Sequence, residues 1–482
     1  MAVARCPAVL VASSESGGFD QDRRNARRWL ALAVMSLVIA GFLAALLVIA
    51  RTPPLNRFVT DPAFFKRCLV VHVNLSLVVW FLSFLAVLFY LVPSRSKVTW
   101  SATPAWVLAC LGVALLVMGA AIPSATPILS NYVPMIDHPI FAAGLASIGA
   151  GLALTFLDFR VLPGREAQDG LFPLPGAARI GIRAAVVLFF VALLTVVAAA
   201  LSTPGDLLAA TRYELVFWGG GHVLQAVSVA GMLSAWAALL AGPLDRSPVG
   251  RRAASVLFFV LVLPFLFAPL LAMGDMTRPT HGLAFTRLMQ WGIFPVVLVF
   301  LALCLRALAR APRSVLRQPR VWAFGASALL TILGFVLGAL IRGSNTMIPA
   351  HYHASIGAVT VAYMALACPL LEGLGHKIPS RRLAGLSSWQ PPLLGIGQLT
   401  FACGFALAGA SGMQRKAYGQ EQHVRTVTEH VGLGLMGLGG LVAILGGILF
   451  LWIVGAAFLG ERRRLDEEGK VTWETASIRS KS

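Results

Sequence analysis

The chain has 482 residues, 58% of them hydrophobic and only 12% charged, with a mean hydropathy of +0.80. No soluble globular domain has that balance, so the chain reads as an all-α, polytopic membrane protein. The formal net charge of +19 does not point to nucleic acid, because the cations sit in short segments between apolar runs, as orientation by positive loops requires.

The N-terminal tail, residues 1–28, is polar and ends in Arg23, Arg24, Arg27 and Arg28. The apolar run after it is too long for a signal-peptide core and reads as a retained first span. Runs of spanning length recur at 29–50, 65–92, 104–123, 139–160, 180–202, 212–241, 253–274, 286–309, 321–341, 349–372, 390–410 and 428–458, about twelve transmembrane helices in all. Cationic clusters at Arg23–Arg28, Arg95–Lys97, Arg160–Arg183, Arg246–Arg252, Arg306–Arg320, Lys377–Arg382 and Arg462–Arg464 fall on one side. The positive-inside rule then places both termini in the cytoplasm. The chain divides into a cytoplasmic tail (1–28), a twelve-helix domain (29–458) and a charged cytoplasmic tail (459–482). No soluble domain and no internal repeat stands out. The six cysteines (Cys6, Cys68, Cys110, Cys304, Cys368, Cys403) show no CxxC spacing, which argues against structural zinc, iron–sulfur clusters and a disulfide framework.

The histidines carry the chemistry. His72 lies about two turns into the second span and His222 a similar distance into the sixth, both from the outer end. His351 and His353 open the tenth span, again on the outer side. Residues two apart on a helix sit about 200° apart, so His351 and His353 leave opposite faces at one depth. That suits a helix standing between two metal centres. Each histidine alone is equally well explained by a hydrogen bond to a neighbouring helix. Three helices sharing one depth is what a metal or haem site needs. Gly219, Gly220 and Gly221 precede His222. They either give a flat macrocycle or another backbone room to approach, or serve ordinary helix packing.

The pattern resembles subunit I of the haem-copper oxidase superfamily, which includes cytochrome c oxidases and the nitric oxide reductase large subunit. The resemblance runs nearly the whole chain in helix order. His72 and His353 match the low-spin haem pair, and His351 the proximal ligand of the high-spin haem. His222, in Trp218-Gly219-Gly220-Gly221-His222, matches the sixth-helix ligand of a copper or non-haem iron. Arg415 and Lys416, in the stretch Gly412 to Tyr418, match the basic pair that holds haem propionates; read alone, they are a solvated loop. His72-Val73-Asn74 brings the chain nearest to the C-type oxidases and nitric oxide reductases.

The seventh helix departs from that pattern. The family places His-His there, whereas this chain reads Ala268-Pro269-Leu270-Leu271-Ala272. One imidazole does not hold copper firmly, so copper or non-haem iron is in doubt. His281, about ten residues further on, would reach the site only through an inward fold of its loop and reads as structural or propionate-contacting. The redox tyrosine has no counterpart at Ala226, and Glu214, eight residues before His222, lies at the outer end. His138 and His423 read as loop residues, His376 as cytoplasmic beside Lys377, and His430 as opening the last span. Glu372 and Asp158 read as interface residues.

The resemblance implies two haems, b-type on this reading. Electrons would pass from a cytochrome c-type subunit or quinol through the low-spin haem to the high-spin haem, which reduces oxygen or nitric oxide. It also implies further membrane subunits and a bacterial inner-membrane location. His351 and His222 would be the catalytic pair, with His72, His353, His351, Arg415 and Lys416 binding cofactor. Two other readings stay open: a non-catalytic haem protein of the same fold, in electron transfer, gas sensing or oxidase assembly, and a polytopic transporter.

Overall fold

The computed structural model describes residues 16–94, 101–162, 172–417 and 421–479, with side chains described between Asp20 and Gly460. Among the described residues, twelve helices are long and apolar enough to cross a membrane. They are α1 (Asp20–Arg51), α2 (Pro62–Tyr90), α3 (Ala102–Ala121), α4 (Pro139–Phe156), α5 (Gly176–Ser202) and α6 (Ala209–Leu244). The second six are α7 (Arg251–Ala272), α8 (Pro279–Ala309), α9 (Pro319–Ala339), α10 (Met347–Gly373), α11 (Arg381–Ala410) and α12 (Val427–Gly460). A short antiparallel hairpin, β1 (Thr126–Ile128) and β2 (Met135–Asp137), pairs Thr126 with Asp137 in the connection between α3 and α4.

Local chemistry sets where the helices begin. Asp61 caps α2 by accepting the Ala63 N–H, and Pro62 takes the first helical position, where no N–H is needed. His138 does the same for α4, accepting the Ile140 N–H ahead of Pro139. It is therefore a cap rather than a plain loop residue. Ser380 caps α11 through the Leu383 N–H.

Small residues set the helix spacing. A Cβ at Gly112, Gly144 or Gly151 would run into the backbone of the facing helix, so α3 and α4 touch main chain to main chain. Gly397 and Gly404 on α11 meet Gly432, Gly439 and Gly446 on α12 in the same way. The glycines recur every seven residues, which keeps them on one face of each helix. Close backbone approach through small residues is how helices associate where lipid removes the hydrophobic drive.

Burial separates an inner ring from an outer one. In the apolar stretches of α2, α6 and α10, 67%, 78% and 72% of residues are buried, against 50% or less in the other nine helices. These three carry His72, His222, His351 and His353. α10 touches α6, α9 and α11, and α6 touches α5 and α8. At the end of the bundle away from the histidines the core is dense: every residue from Trp80 to Tyr90 is buried, and Tyr363 stacks on Phe84 at 4.6 Å between centroids. The Tyr363 hydroxyl lies over Gly231, leaving no space for a Cβ there.

The N-terminal region packs against the bundle. Helix begins at Ser16, upstream of the first span. Asn25, Ala26 and Trp29 are buried, Arg27 donates to the Leu374 carbonyl and Arg28 to the Thr103 hydroxyl. Arg27 and Arg28 find partners at the neighbouring ends of other helices, which holds the segment in place. At the same end Arg160, 1% exposed, bonds the Asp22 carboxylate at 2.6 Å and lies over the Tyr90 ring at 5.2 Å. Asp158 stands 3.9 Å from the Arg160 guanidinium, so it is part of a buried ion-pair cluster. Glu372 is exposed. His376 is buried with its ring 4.2 Å from Phe458.

Candidate functional site

The three histidine helices are fixed to their surroundings at the histidine level. In α2 the regular turn gives way to a π-helical stretch, Asn74–Val79, directly after His72. Such bulges re-aim side chains and gather at functional sites. Asn74 holds the bulge from within, donating to the Val70 carbonyl at 2.9 Å and to the Pro134 carbonyl at 2.7 Å. The start of α10 is tied to the connection between α11 and α12: the Thr346 N–H donates to Met413 O and its hydroxyl to Phe405 O, each at 2.9 Å.

Three of the four imidazoles make the same kind of bond. His72 Nδ1 lies 2.9 Å from Ala40 O on α1, His351 Nδ1 2.6 Å from Gly334 O on α9, and His222 Nδ1 2.8 Å from Trp218 O one turn back. A carbonyl only accepts, so each Nδ1 carries the hydrogen and each neutral ring presents its lone pair at Nε2. Metal-ligating histidines show this orientation, with one nitrogen donating to a carbonyl and the other left for the ion. His351 is seated against α9 at Gly338, where a Cβ would crowd its ring.

His353 has aromatic neighbours instead. Its ring is 4.5 Å from Phe401 and 6.0 Å from Phe405, and it lies within electrostatic reach of His72 and Arg51. His72, His351 and His353 are surrounded by protein yet each keeps accessible surface. Deeper in the same helices the packing closes, from Trp80 to Tyr90 and from Val361 to Ala367. The donor set fits an iron macrocycle held by imidazoles.

His222 is different. It is 1% exposed and its Nε2 is already engaged: the Tyr132 hydroxyl lies 2.9 Å away. Tyr132 comes from the connection between α3 and α4, its ring 4.6 Å from His222 and 5.6 Å from Trp218. The three glycines before His222 are filled by protein: Gly219 by Phe285 and Thr195, Gly220 by Val196, Gly221 by Tyr132. Of the two readings of those glycines, packing holds, because side chains take all the space they leave. Burial, and then the Glu214 carboxylate, push the Tyr132 phenol above the ordinary tyrosine range, while Arg415 opposes the shift. Tyr132 is therefore a neutral hydrogen-bond donor at any ordinary pH. Sequence reasoning passed over it because it lies outside every span; Asn131-Tyr132 between two apolar runs was the only available sign.

No copper or non-haem iron fits at His222. Among the described residues no group of three or more His, Cys, Asp or Glu side chains comes together to hold an ion. Leu270 and Leu271 are 65% and 36% exposed, while Ala268 and Ala272 of the same turn are buried, so the leucines face out of the bundle. His281 is not on an inward-folded loop. It sits in the first turn of α8, 9% exposed, with Phe285 between it and His222: the ring is 5.1 Å from His281 and 5.9 Å from His222.

The cations at this end form a shelf. The Arg415 guanidinium donates to the Asn131 side-chain carbonyl at 3.1 Å, and Lys416 Nζ to Leu129 O at 2.8 Å. Asn131 in turn gives its backbone N–H to Glu214 at 2.8 Å and its side-chain amide to the same carboxylate. Glu214 is therefore a loop anchor. Partial burial, and then the Arg415 charge, lower the Lys416 ammonium below its ordinary value, with Glu214 opposing. Tyr418, which closes the basic stretch, lies outside the described residues. The sequence reading also undervalued Arg51. This last residue of α1 is buried, reaches the carbonyls of Gln414, Arg415 and Ala417 at 3.3–3.5 Å, and lies 5.1 Å over the Phe405 ring beside His353. His430 bonds only its own helix turn, at Thr426 O.

Comparison with known proteins gives a consistent picture. Residues 24–442 match the family model described as cytochrome C and quinol oxidase polypeptide I. An uncharacterised Rickettsia prowazekii (strain Madrid E) protein, RP382, is 26% identical over 89% of this chain and 95% of its own length. An uncharacterised Aquifex aeolicus (strain VF5) protein is 28% identical over 72% of this chain and 85% of its own. The fold is similar to that of a heme-copper terminal oxidase dimer solved by cryo-electron microscopy, with a TM-score of 0.70 and 17% identity over 91% of this chain and 84% of that one.

Proposed function

The chain belongs to the cytochrome C and quinol oxidase polypeptide I family, the haem-copper oxidase subunit I fold, and from that membership we propose that it is a haem-binding membrane oxidoreductase subunit. His72 and His353 would hold a low-spin haem, and His351 would hold a second, high-spin haem. The observation that carries this reading is the shared bonding of His72 and His351: each gives its Nδ1 hydrogen to a carbonyl of the next helix, which leaves the lone pair of the neutral ring at Nε2 for an iron. Bound haem supplies reversible one-electron chemistry and an open coordination position for a diatomic ligand. The protein's own residues hold the irons, exclude water by dense packing below the histidines, and place Arg51, Arg415 and Lys416 where haem carboxylates need counter-charge.

The sequence has no CxxCH attachment site, so both haems are held without thioether bonds, and b-type is the reading we propose. The substrate is oxygen or nitric oxide, and electrons come from a cytochrome c-type subunit or a quinol. Further membrane subunits accompany the chain in a bacterial inner membrane, with both termini cytoplasmic as the cationic loops direct. The second reading, a haem protein of this fold without terminal reductase activity, is favoured by one observation: no ligand cluster for a second metal forms among the described residues. A transporter has no comparable support.

The test is haem stoichiometry by pyridine haemochrome on purified protein. Two b-type haems per chain are expected, and His353→Ala should abolish the low-spin signal while the His351 haem remains. Protein free of haem when made with ample haem supply would refute the assignment. Turnover with oxygen and with nitric oxide then separates the enzyme from the non-catalytic reading.

A further inference from the structure

We propose that Tyr132 is the resident partner of His222, and that where its family has a second metal this chain has a metal-free phenol–imidazole pair. The proposal rests on the functional reading above for its place in the site, but its evidence is separate. Trp218 O fixes the hydrogen on His222 Nδ1, so the only lone pair of the neutral ring is at Nε2, and the Tyr132 hydroxyl donates into it at 2.9 Å. A metal needs that same lone pair.

The phenol is built in from several sides. Gly221 provides the space for the Tyr132 side chain, since any Cβ there would collide with it. Trp218 packs edge-on against its ring. On one side of Tyr132 in the chain, Asn131 is held by Glu214 and Arg415; two residues on the other, Pro134 O accepts from Asn74 of α2. The Tyr132 backbone has φ 66°, a left-handed conformation that an aromatic residue adopts only when its surroundings impose it. An adventitious contact would not be secured by three elements at once. Among the described residues no competing set of three or more ligands comes together: Leu270 and Leu271 face outward, and Phe285 packs against both His281 and His222.

Chemically, the pair holds one proton between the phenol oxygen and Nε2. The phenol keeps that proton and donates it into Nε2, so the pair offers a metal no vacant nitrogen.

The experiment uses full-length detergent-purified protein with its haem. Copper and iron are counted by elemental mass spectrometry and haem by pyridine haemochrome. 15N NMR of histidine-labelled protein, with His222→Gln to identify the signal, reads the ring directly. The expected result is copper far below one per chain and His222 in the Nδ1–H form. Its Nε2 resonance should shift in Tyr132→Phe toward that of a nitrogen without a hydrogen-bond donor. One copper per chain that is lost in His222→Gln would overturn the proposal, as would an Nε2 resonance indifferent to Tyr132→Phe. Protein without haem but with the Nε2 shift supports the pair and refutes the haem reading; two haems with a stoichiometric copper does the reverse.

Discussion

Gly221→Ala tests the seating of the Tyr132 loop on α6 with the smallest perturbation available. The added methyl meets Cβ and Cγ of Tyr132, the stiff base of the side chain and not its tip, so the whole ring must move. Overpacking of this kind costs about 1–3 kcal/mol. A displaced ring also takes its hydroxyl from His222 Nε2, and an unsatisfied buried acceptor costs about 1–3 kcal/mol more. Alanine's better helix propensity offsets about 1 kcal/mol. The net expectation is a loss of about 1–5 kcal/mol. Gly434→Ala is the control: it lies on α12 with nothing within 4 Å of the added methyl, so helix propensity alone predicts no loss and a gain of up to about 1 kcal/mol. Both are compared by thermal unfolding in the same detergent. If Gly221→Ala proves as stable as Gly434→Ala, Tyr132 does not sit on α6 and the account of His222 fails with it.

Asn74→Ala removes two buried donor contacts and frees the Pro134 carbonyl, so a loss of about 1–3 kcal/mol is expected, with a perturbed spectrum of the His72 haem as its local sign. Arg160→Ala leaves the Asp22 carboxylate without its buried partner, and the melting assay should register a loss of about 3–5 kcal/mol. Tyr132 should stay protonated in the folded protein well past the ordinary tyrosine pKa of about 10, because burial raises it. An unfolded chain ionises first, so this group's contribution is complete below that pKa and declines as pH rises through it. Alkaline difference spectra of wild type and Tyr132→Phe would show the same tyrosinate signal until unfolding; an earlier extra tyrosine in wild type would contradict the burial. Leu270→His with Leu271→His should add no copper, since both positions face outward; a stoichiometric gain would mean α7 presents that turn to His222 after all.

The large-scale fold was legible because bilayer length and hydropathy leave little freedom: all twelve apolar runs became helices of spanning length, with bounds within four residues of expectation except at the starts of α1, α8 and α11, which lie seven to nine residues earlier. His72, His222 and His351/His353 were legible as a group because imidazoles are expensive in lipid, and the helices carrying them did become the buried inner ring. What escaped the sequence depended on contacts between distant segments. Tyr132 reaches His222 across 90 residues and needs a positive φ that no neighbouring glycine announces. Arg160 looked like one of several cytoplasmic cations, yet its partner Asp22 lies 138 residues away in what read as a tail. His281 was expected in a loop, whereas Pro279 takes the N-terminal turn of α8, where proline is accommodated, and His281 follows within that turn.

The two ends of the bundle are built for different work, and this explains where the chain tolerates open space. Away from the histidines, aromatic stacking of Trp80, Phe84 and Tyr363 and the ion pair of Arg160 lock α2, α10 and the N-terminal helix together. At the histidine level the same helices are held by main-chain devices instead: the π-bulge after His72, Thr346 bonded to Phe405 O, and Nδ1 of His351 on Gly334 O. Main-chain anchoring fixes a helix without filling the volume beside it. Ligand nitrogens can then be aimed to within a hydrogen bond's tolerance while room for a macrocycle is kept. His222 breaks that rule, because its Nε2 is met by a side chain and its surroundings are full. The difference lies in the architecture around each imidazole. It is the ground for proposing His72, His351 and His353 as cofactor ligands and for reading His222 as the acceptor of a hydrogen bond from Tyr132.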